Sequence, residues 1–195
     1  MRGKQFCAAF LVTVYITAFE CKLEIFGLKK YNMAKFLQTK LPIWTFYTTS
    51  GGNAECEVEV VQTITQKSAA LMRYFYDGSK KVASPQLGTF DQRHKDYMTV
   101  RTPGGYYLQE RIVYAKHDYS CAVIEVTMKL CGHKHIYDLL VSNSSIKTGP
   151  HHKCIKQYRK RESKGRRVYH PYCQDILKNR GSFQNQSTKV ERCLR

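Results

Sequence analysis

The sequence predicts an all-β protein: an antiparallel meander of seven or eight short strands, one short helix before it and one after it, stapled by disulfides. Apolar and polar residues alternate with a period of two in short runs, and turn residues separate the runs. The length of 195 residues fits one domain. Of eight cysteines, Cys7 and Cys21 are expected to leave with an apolar leader, and an even set of six remains. A meander of this size closes into a barrel or folds into a sandwich. Closure removes the unpaired sheet edges, and an eight-stranded barrel has room for one small ligand.

The clearest pair of strands is Cys121–Met128 followed by Ile136–Ser142, joined by a turn over 129–135. In the first, Ala122, Ile124, Val126 and Met128 share one face, with Val123, Glu125 and Thr127 on the other. In the second, Tyr137, Leu139 and Val141 share a face, and Ile136 and Leu140 take the opposite one, with Asp138 set among apolar residues. A carboxylate there either turns to water or is held inside for a reason.

The other elements follow in order. Asn32 suits the cap of a short helix over Met33–Thr39, with Met33, Phe36 and Leu37 on one face. Residues Pro42–Ser50 alternate, Trp44 and Phe46 against Thr45 and Tyr47, and Gly51-Gly52-Asn53 turns the chain. Cys56–Ile64 places Val58, Val60 and Ile64 opposite Glu57 and Glu59. Ala70–Tyr76 is a third strand, ended by Asp77-Gly78. Within Ser79–His94, Pro85 and Gly88 break the pattern and leave a weak strand or a loop. Tyr97–Arg101 follows. After Pro103-Gly104-Gly105, Tyr106–Tyr114 places Tyr106, Leu108, Ile112 and Tyr114 on one face with Glu110. Gly149-Pro150 starts a helix near His151–Arg161, and Arg167–His170 suits a last short strand.

Arg2 and Lys4 precede an apolar run, Phe6–Ala18, that is too short to span a bilayer and has the form of a secretory signal peptide. The expected organisation is a signal over 1–20, with cleavage between 18 and 21, a barrel domain over 22–178, and a polar basic tail over 179–195. Secretion gives Cys56, Cys121, Cys131, Cys154, Cys173 and Cys193 an oxidising setting. Six cysteines allow 15 pairings, and spacing alone selects none. Asn143-Ser-Ser and Asn185-Gln-Ser are N-glycosylation sequons.

The formal charge is +17. Residues 147–195 hold 14 Lys and Arg against Glu162, Asp175 and Glu191, a net +11, which leaves +6 for the first 146 residues. The densest run, 156–167, suits an anionic partner such as a glycosaminoglycan; a merely solvated face is the plain alternative. No nucleic-acid recognition motif accompanies the charge, and no other run is apolar enough to span a membrane.

Several stretches carry a resemblance. Ala34–Trp44, Cys56-Glu-Val-Glu-Val60, Cys121-Ala-Val, Tyr137-Asp-Leu-Leu-Val-Ser and Val168-Tyr-His-Pro-Tyr-Cys173 resemble, in order, the tick salivary lipocalins of the histamine-binding-protein family. The resemblance implies an eight-stranded lipocalin-type barrel, secreted and monomeric, that traps a small host mediator and so counters inflammation and haemostasis. It implies the disulfides Cys56–Cys173 and Cys121–Cys154, and leaves Cys131 and Cys193 for a third. Amine-binding members carry an acid directly after the hairpin cysteine, and a second in a Glu-Leu-aromatic triplet on the next strand. Here Ala122 stands at the first place and Asp138-Leu139-Leu140 at the second. One of two carboxylates is missing, which removes a second site or weakens the only one. The first ligand expectation is a biogenic amine, histamine or serotonin. The second is a leukotriene or fatty acid. The third is a protein-binding inhibitor of complement or coagulation that uses the barrel as scaffold.

The expected ligand-contact set is Trp44, Phe46, Met72, Tyr74, Tyr106, Leu108, Glu110, Asp138 and Leu140. Its aromatic members suit a flat amine through cation–π contact, or a lipid tail, and are otherwise ordinary core. Asp138 and Glu110 are the cation partners if they point inward. Cys131-Gly-His-Lys-His135 has no zinc-site spacing, so neither metal nor cofactor is expected. No nucleophile elbow, metalloprotease helix or phosphate loop is present, which argues against an enzyme.

Overall fold

A computed structural model describes residues 31–128 and 134–178 and the backbone of 184–185. Helix α1 (Met33–Leu37) is followed by strands β1 (Ile43–Thr48), β2 (Glu55–Ile64), β3 (Ser68–Asp77), β4 (Lys80–Phe90), β5 (Tyr97–Arg101), β6 (Tyr107–Ala115), β7 (Cys121–Met128) and β8 (Lys134–Ser142). Helix α2 (His152–Arg161), strand β9 (Arg166–Arg167), a 3-10 helix (Pro171–Leu177) and strand β10 (Gln184–Asn185) complete the chain. Each of β1 to β8 pairs antiparallel with the next, and β8 returns to pair with β1, so the sheet is a closed eight-stranded barrel.

Local chemistry sets the ends of these elements. Asn32 caps α1 by accepting a hydrogen bond from the Lys35 amide at 3.0 Å. Gly78 takes a left-handed φ of 59° in the β3–β4 hairpin, where a side chain would be strained. The stretch read as a weak strand or loop is instead the 11-residue β4. Pro85 is tolerated because it falls between the residues that pair with β10 (Val82, Ala83) and those that pair with β5 (Leu87–Phe90). No ladder bond is lost on that edge. Pro150 does not open α2: His151 is the cap and accepts from the Lys153 amide at 3.2 Å, so the proline precedes it. The short strand expected at 167–170 lies instead at Arg166–Arg167, against Tyr47 and Thr48.

Two apolar cores sit back to back across the barrel wall. The inner one fills the lumen with Ile43, Leu71, Phe90, Met98, Ile112, Ile124 and Leu140, and α1 closes one end with Met33, Phe36 and Leu37. The outer one lies beneath α2 and the 3-10 helix and contains Trp44, Val58, Leu139, Val141, Tyr158 and Ile176. Two disulfides clamp this outer layer to the wall: Cys56–Cys173 on β2 and Cys121–Cys154 on β7. These are the two pairings that the family resemblance implied. The expected leader and its cleavage between 18 and 21, the expected third bond between Cys131 and Cys193, nearly all of the 179–195 tail and the Asn185 side chain lie outside the described residues.

Candidate functional site

The strand register brings a polar belt to mid-height in the lumen. Glu59 on β2 lies opposite Arg73 on β3, and Arg73 lies opposite Ser84 on β4. All three are buried, as is Glu110 on β6. Side chains alternate across a strand, so Leu71, Arg73 and Phe75 point inward while Met72, Tyr74 and Tyr76 point outward. On β8 the same rule turns Asp138 inward with Ile136 and Leu140, and sends Tyr137, Leu139 and Val141 outward.

Arg73 is the hub of the belt. Its Nε donates to Glu59 Oε1 at 2.9 Å, and its Nη2 donates to the same oxygen. Glu57 Oε1 lies 3.6 Å from Nη1, and Glu110 Oε1 lies 3.6 Å from Nη2. Burial alone would lower the pKa of Arg73; Glu59, Glu57 and Glu110 reverse this and hold it well above its usual value. Asp138 accepts from the Thr48 hydroxyl. Arg166 crosses the open end of the barrel, donating from Nη2 to the Ala54 carbonyl at 2.7 Å and from Nε to that of Ser50 at 3.4 Å.

The belt and the open end therefore hold four carboxylates, Glu57, Glu59, Glu110 and Asp138, against two guanidiniums, Arg73 and Arg166. The whole chain carries +17, so this interior is opposite in sign to the surface around it. Glu110 registers the imbalance: burial and the Glu59 carboxylate push its pKa up to about 8, Arg73 opposes them, and Asp138 and Glu57 add to the rise. Three buried side-chain polar atoms lack a protein partner among the described residues, and one of them, Gln86 Oε1, lies on the lumen face of β4 next to the belt. The cavity among Thr48, Glu57, Arg73, Asp138 and Arg166 measures about 40 Å³. That holds a few waters, so a larger guest enters only if a side chain moves.

The expected contact set divides. Leu108, Glu110, Asp138 and Leu140 are together in the lumen. Trp44 and Phe46 are not: they belong to the outer core, where both pack against Tyr169 with ring centroids 5.1 and 6.1 Å away. The Trp44 indole N–H donates to Asn143 Oδ1 at 2.8 Å, and Arg167 stacks over Phe46 at 5.0 Å. Met72 and Tyr74 stand on the outward face of β3, and Tyr106 lies in the β5–β6 turn against Gly104. Tyr114 lies outward as well, shifted by a bulge between Ile112 and Tyr114. Trp44, Phe46, Tyr74 and Tyr114 share one reason. A second apolar layer covers the barrel wall, so an apolar strand face need not be the lumen face.

Sequence reasoning passed over Glu57, Glu59, Arg73, Ser84, Gln86 and Thr48. The usable signal was that an alternating strand with both faces buried must turn one of them inward. On β2 it is the Glu57/Glu59 face, because Cys56–Cys173 fastens the 3-10 helix over the Val58 face.

No protein-family model matches the chain, and no curated protein sequence matches it. Solved structures do. Apocrustacyanin C2 aligns over 67% of this chain and 79% of its own, with a TM-score of 0.50 at 13% identity. Lobster apocrustacyanin A1 aligns over 71% and 82%, with a TM-score of 0.52 at 12% identity. Apocrustacyanin C1 aligns over 77% and 95%, also with a TM-score of 0.52 at 12% identity. At such identities the likeness concerns architecture: this chain has the lipocalin fold, the closed eight-stranded barrel that it shares with the crustacyanin apoproteins.

Proposed function

We propose that this barrel binds one small organic cation, a biogenic amine such as histamine or serotonin, and that the protein is a secreted sequestering agent for that mediator. The observation that carries the reading is the excess of carboxylate in the lumen of a strongly basic chain. Placing like charges inside a barrel is costly unless a cation offsets them. Arg73 offsets part of the excess, and the proton on Glu110 offsets more. A bound ammonium would take over both duties.

Binding then has two structural consequences. The guest needs more room than the about 40 Å³ present, and the long side chain of Arg73 is what occupies the centre of the belt. The ammonium therefore displaces the guanidinium from its carboxylates. An ammonium that sits closer to Glu110 than the 3.6 Å of the guanidinium it displaces lowers that carboxyl's pKa further, so binding releases a proton near pH 8, where Glu110 is part-protonated. Gln86, with its unused oxygen near the belt, suits the second donor of an amine that carries an imidazole or indole N–H or a hydroxyl.

A lipid mediator is the second reading, favoured by the apolar inner core beneath α1. It ranks lower because a fatty acid or leukotriene carboxylate would sit beside carboxylates already in excess. Titration calorimetry of the mature protein with histamine, serotonin, a leukotriene and a fatty acid separates the readings. Saturable one-to-one amine binding with proton release, read from the dependence of the heat on buffer ionisation, is the expected result. Binding of the lipids alone reverses the order, and silence across the panel points to the scaffold reading, in which the barrel serves protein contacts.

A further inference from the structure

The outer surface of α2 carries a second, independent chemistry. The helix buries Cys154 and Tyr158 against the barrel and exposes His152, Lys153, Lys156, Arg159, Lys160 and Arg161. His152, Lys156, Arg159 and Lys160 follow the i, i+4, i+7, i+8 spacing of one helix face and border a shallow groove floored by Ile155. The stripe runs about 12 Å along the axis at 1.5 Å per residue.

Part of this charge is disadvantageous to the helix: Arg159, Lys160 and Arg161 in the last turn suit the helix dipole, but the mutual repulsion and Lys153 in the first turn do not. Like charges at i, i+3 and i, i+4 each cost a few tenths of a kcal/mol in an exposed helix. The first turn has no acid and instead holds a lysine, against the helix dipole. No ion pair compensates: among the described residues, the salt bridges engage none of Lys153, Lys156, Arg159 and Lys160. The helix persists because the Cys121–Cys154 bond and the packing of Tyr158 hold it on the wall. The basic run 156–167 is also not uniform. Arg166 and Arg167 are engaged with backbone carbonyls and with Phe46, which leaves the α2 stripe and Lys164 just beyond it as the uncommitted part.

We propose that this face of α2 is a docking site for a linear sulfated polysaccharide of the heparan sulfate class. Charge complementarity selects a polyanion, and the straight, disulfide-fixed stripe suits an extended one. An anionic membrane is disfavoured because a helix that lies on lipid presents Trp, Phe or Leu to the acyl chains, whereas the outward face here has only Ile155, half-buried. Nucleic acid is disfavoured because disulfides such as the two here form in oxidising compartments. The site is on the outside of the wall, so it operates whether or not the lumen is filled.

The test uses the full secreted chain and heparin as the probe. Two triple variants lose the same charge: Lys156→Gln/Arg159→Gln/Lys160→Gln on α2, and Lys40→Gln/Lys67→Gln/Lys95→Gln at exposed positions elsewhere. The α2 triple is expected to weaken heparin binding about tenfold or more at physiological salt. It should also reduce the slope of log affinity against log salt by about two to three, since each lost contact releases about one counterion fewer. The control triple should change little. Equal losses in both triples would mean that net charge alone holds heparin, and no loss in the α2 triple would remove the site; either result overturns the proposal. So does wild-type binding to phosphatidylserine vesicles that equals heparin binding at the same salt and is lost in the α2 triple. Near-equal melting temperatures for the three proteins show that the comparison is between folded molecules.

Discussion

Glu59 and Arg73 face each other directly across β2 and β3 with both side chains inside the barrel, and the guanidinium that joins them also lies within 3.6 Å of Glu57 and Glu110. One cation therefore serves three carboxylates, Glu59 and Glu110 buried and Glu57 near the open end. Inside this barrel the proton on Glu110 and the Arg73 guanidinium share the offset of the same acids, and under the proposed function a ligand's ammonium would join them. Four expectations rest on that relationship and on the disulfides that frame it.

The first is the pH dependence of stability. Glu110 has a folded-state pKa of about 8 against an ordinary value of 4.5. A raised pKa means that the folded state holds an extra proton between these values. The stabilising contribution is complete below about pH 4.5 and is lost as pH rises to about 8. Glu110→Gln keeps the shape of the protonated form and does not titrate. Urea unfolding from pH 5 to 9 should show the variant gaining on the wild type as pH rises through that window, by on the order of 1 kcal/mol per pH unit. A constant difference would show that Glu110 titrates as an ordinary carboxyl.

The second concerns Arg73 as the internal competitor of the ligand. Arg73→Met leaves the carboxylates without their guanidinium and should lower stability by about 3–5 kcal/mol, the usual cost of breaking a buried pair. Histamine or serotonin should then bind about tenfold more tightly, and should raise the melting temperature of the variant more than that of the wild type. Arg73→Lys, which keeps the charge but loses the fork, should fall between the two. Calorimetry that finds weaker amine binding in Arg73→Met would show that the arginine helps to hold the ligand.

Asp138 supplies the third. It points inward with Ile136 and Leu140 and accepts from Thr48, on a strand whose other face meets the outer core. Asp138→Asn retains the shape and removes the charge. If Asp138 shares in holding the ammonium, amine affinity falls about ten- to a hundredfold, in line with a charge-assisted hydrogen bond of roughly 1.5–3 kcal/mol. Binding of an uncharged or anionic lipid should survive the change. Unchanged amine affinity would shift the counter-charge to Glu110.

The fourth separates the two disulfides. Cys56–Cys173 spans 117 residues of sequence and Cys121–Cys154 spans 33. The chain-entropy account gives about 5 kcal/mol for the first and about 4 kcal/mol for the second. Paired Cys→Ala variants, compared by urea unfolding, should follow that order. Loss of the second bond should also loosen α2 and weaken heparin retention while leaving amine titrations nearly unchanged. The reverse pattern would place the ligand under α2 instead of in the lumen.

Much of the architecture was legible because it depends on local rules. The alternation in Cys121–Met128, the cap at Asn32 and the Asp77-Gly78 turn appear in the structure where the residues placed them. β4 was not legible, since Pro85 and Gly88 look like breakers until the pairing shows that Pro85 falls in a gap on one edge and that Gly88 lies against Met98. The aromatic half of the expected site failed for a different reason. Trp44 and Phe46 are apolar enough for a lumen, but the structure uses them to seat Tyr169 and the layer below α2.

The sequence by itself determined the strand order, the basic surface and the presence of a carboxylate at 138 within an apolar strand. Which face of each strand looks inward was decided only by tertiary structure. An alternating strand specifies two faces and does not say which is inside when both are covered. Here the Cys56–Cys173 and Cys121–Cys154 bonds fasten a second apolar layer to the outer wall, so Val58 and Leu139 could be buried outside. That choice turned Glu57, Glu59 and Asp138 toward Arg73 and Glu110 and made the lumen acidic. Periodicity is a property of one strand, whereas the sign of the charge inside a barrel is a property of eight strands in register.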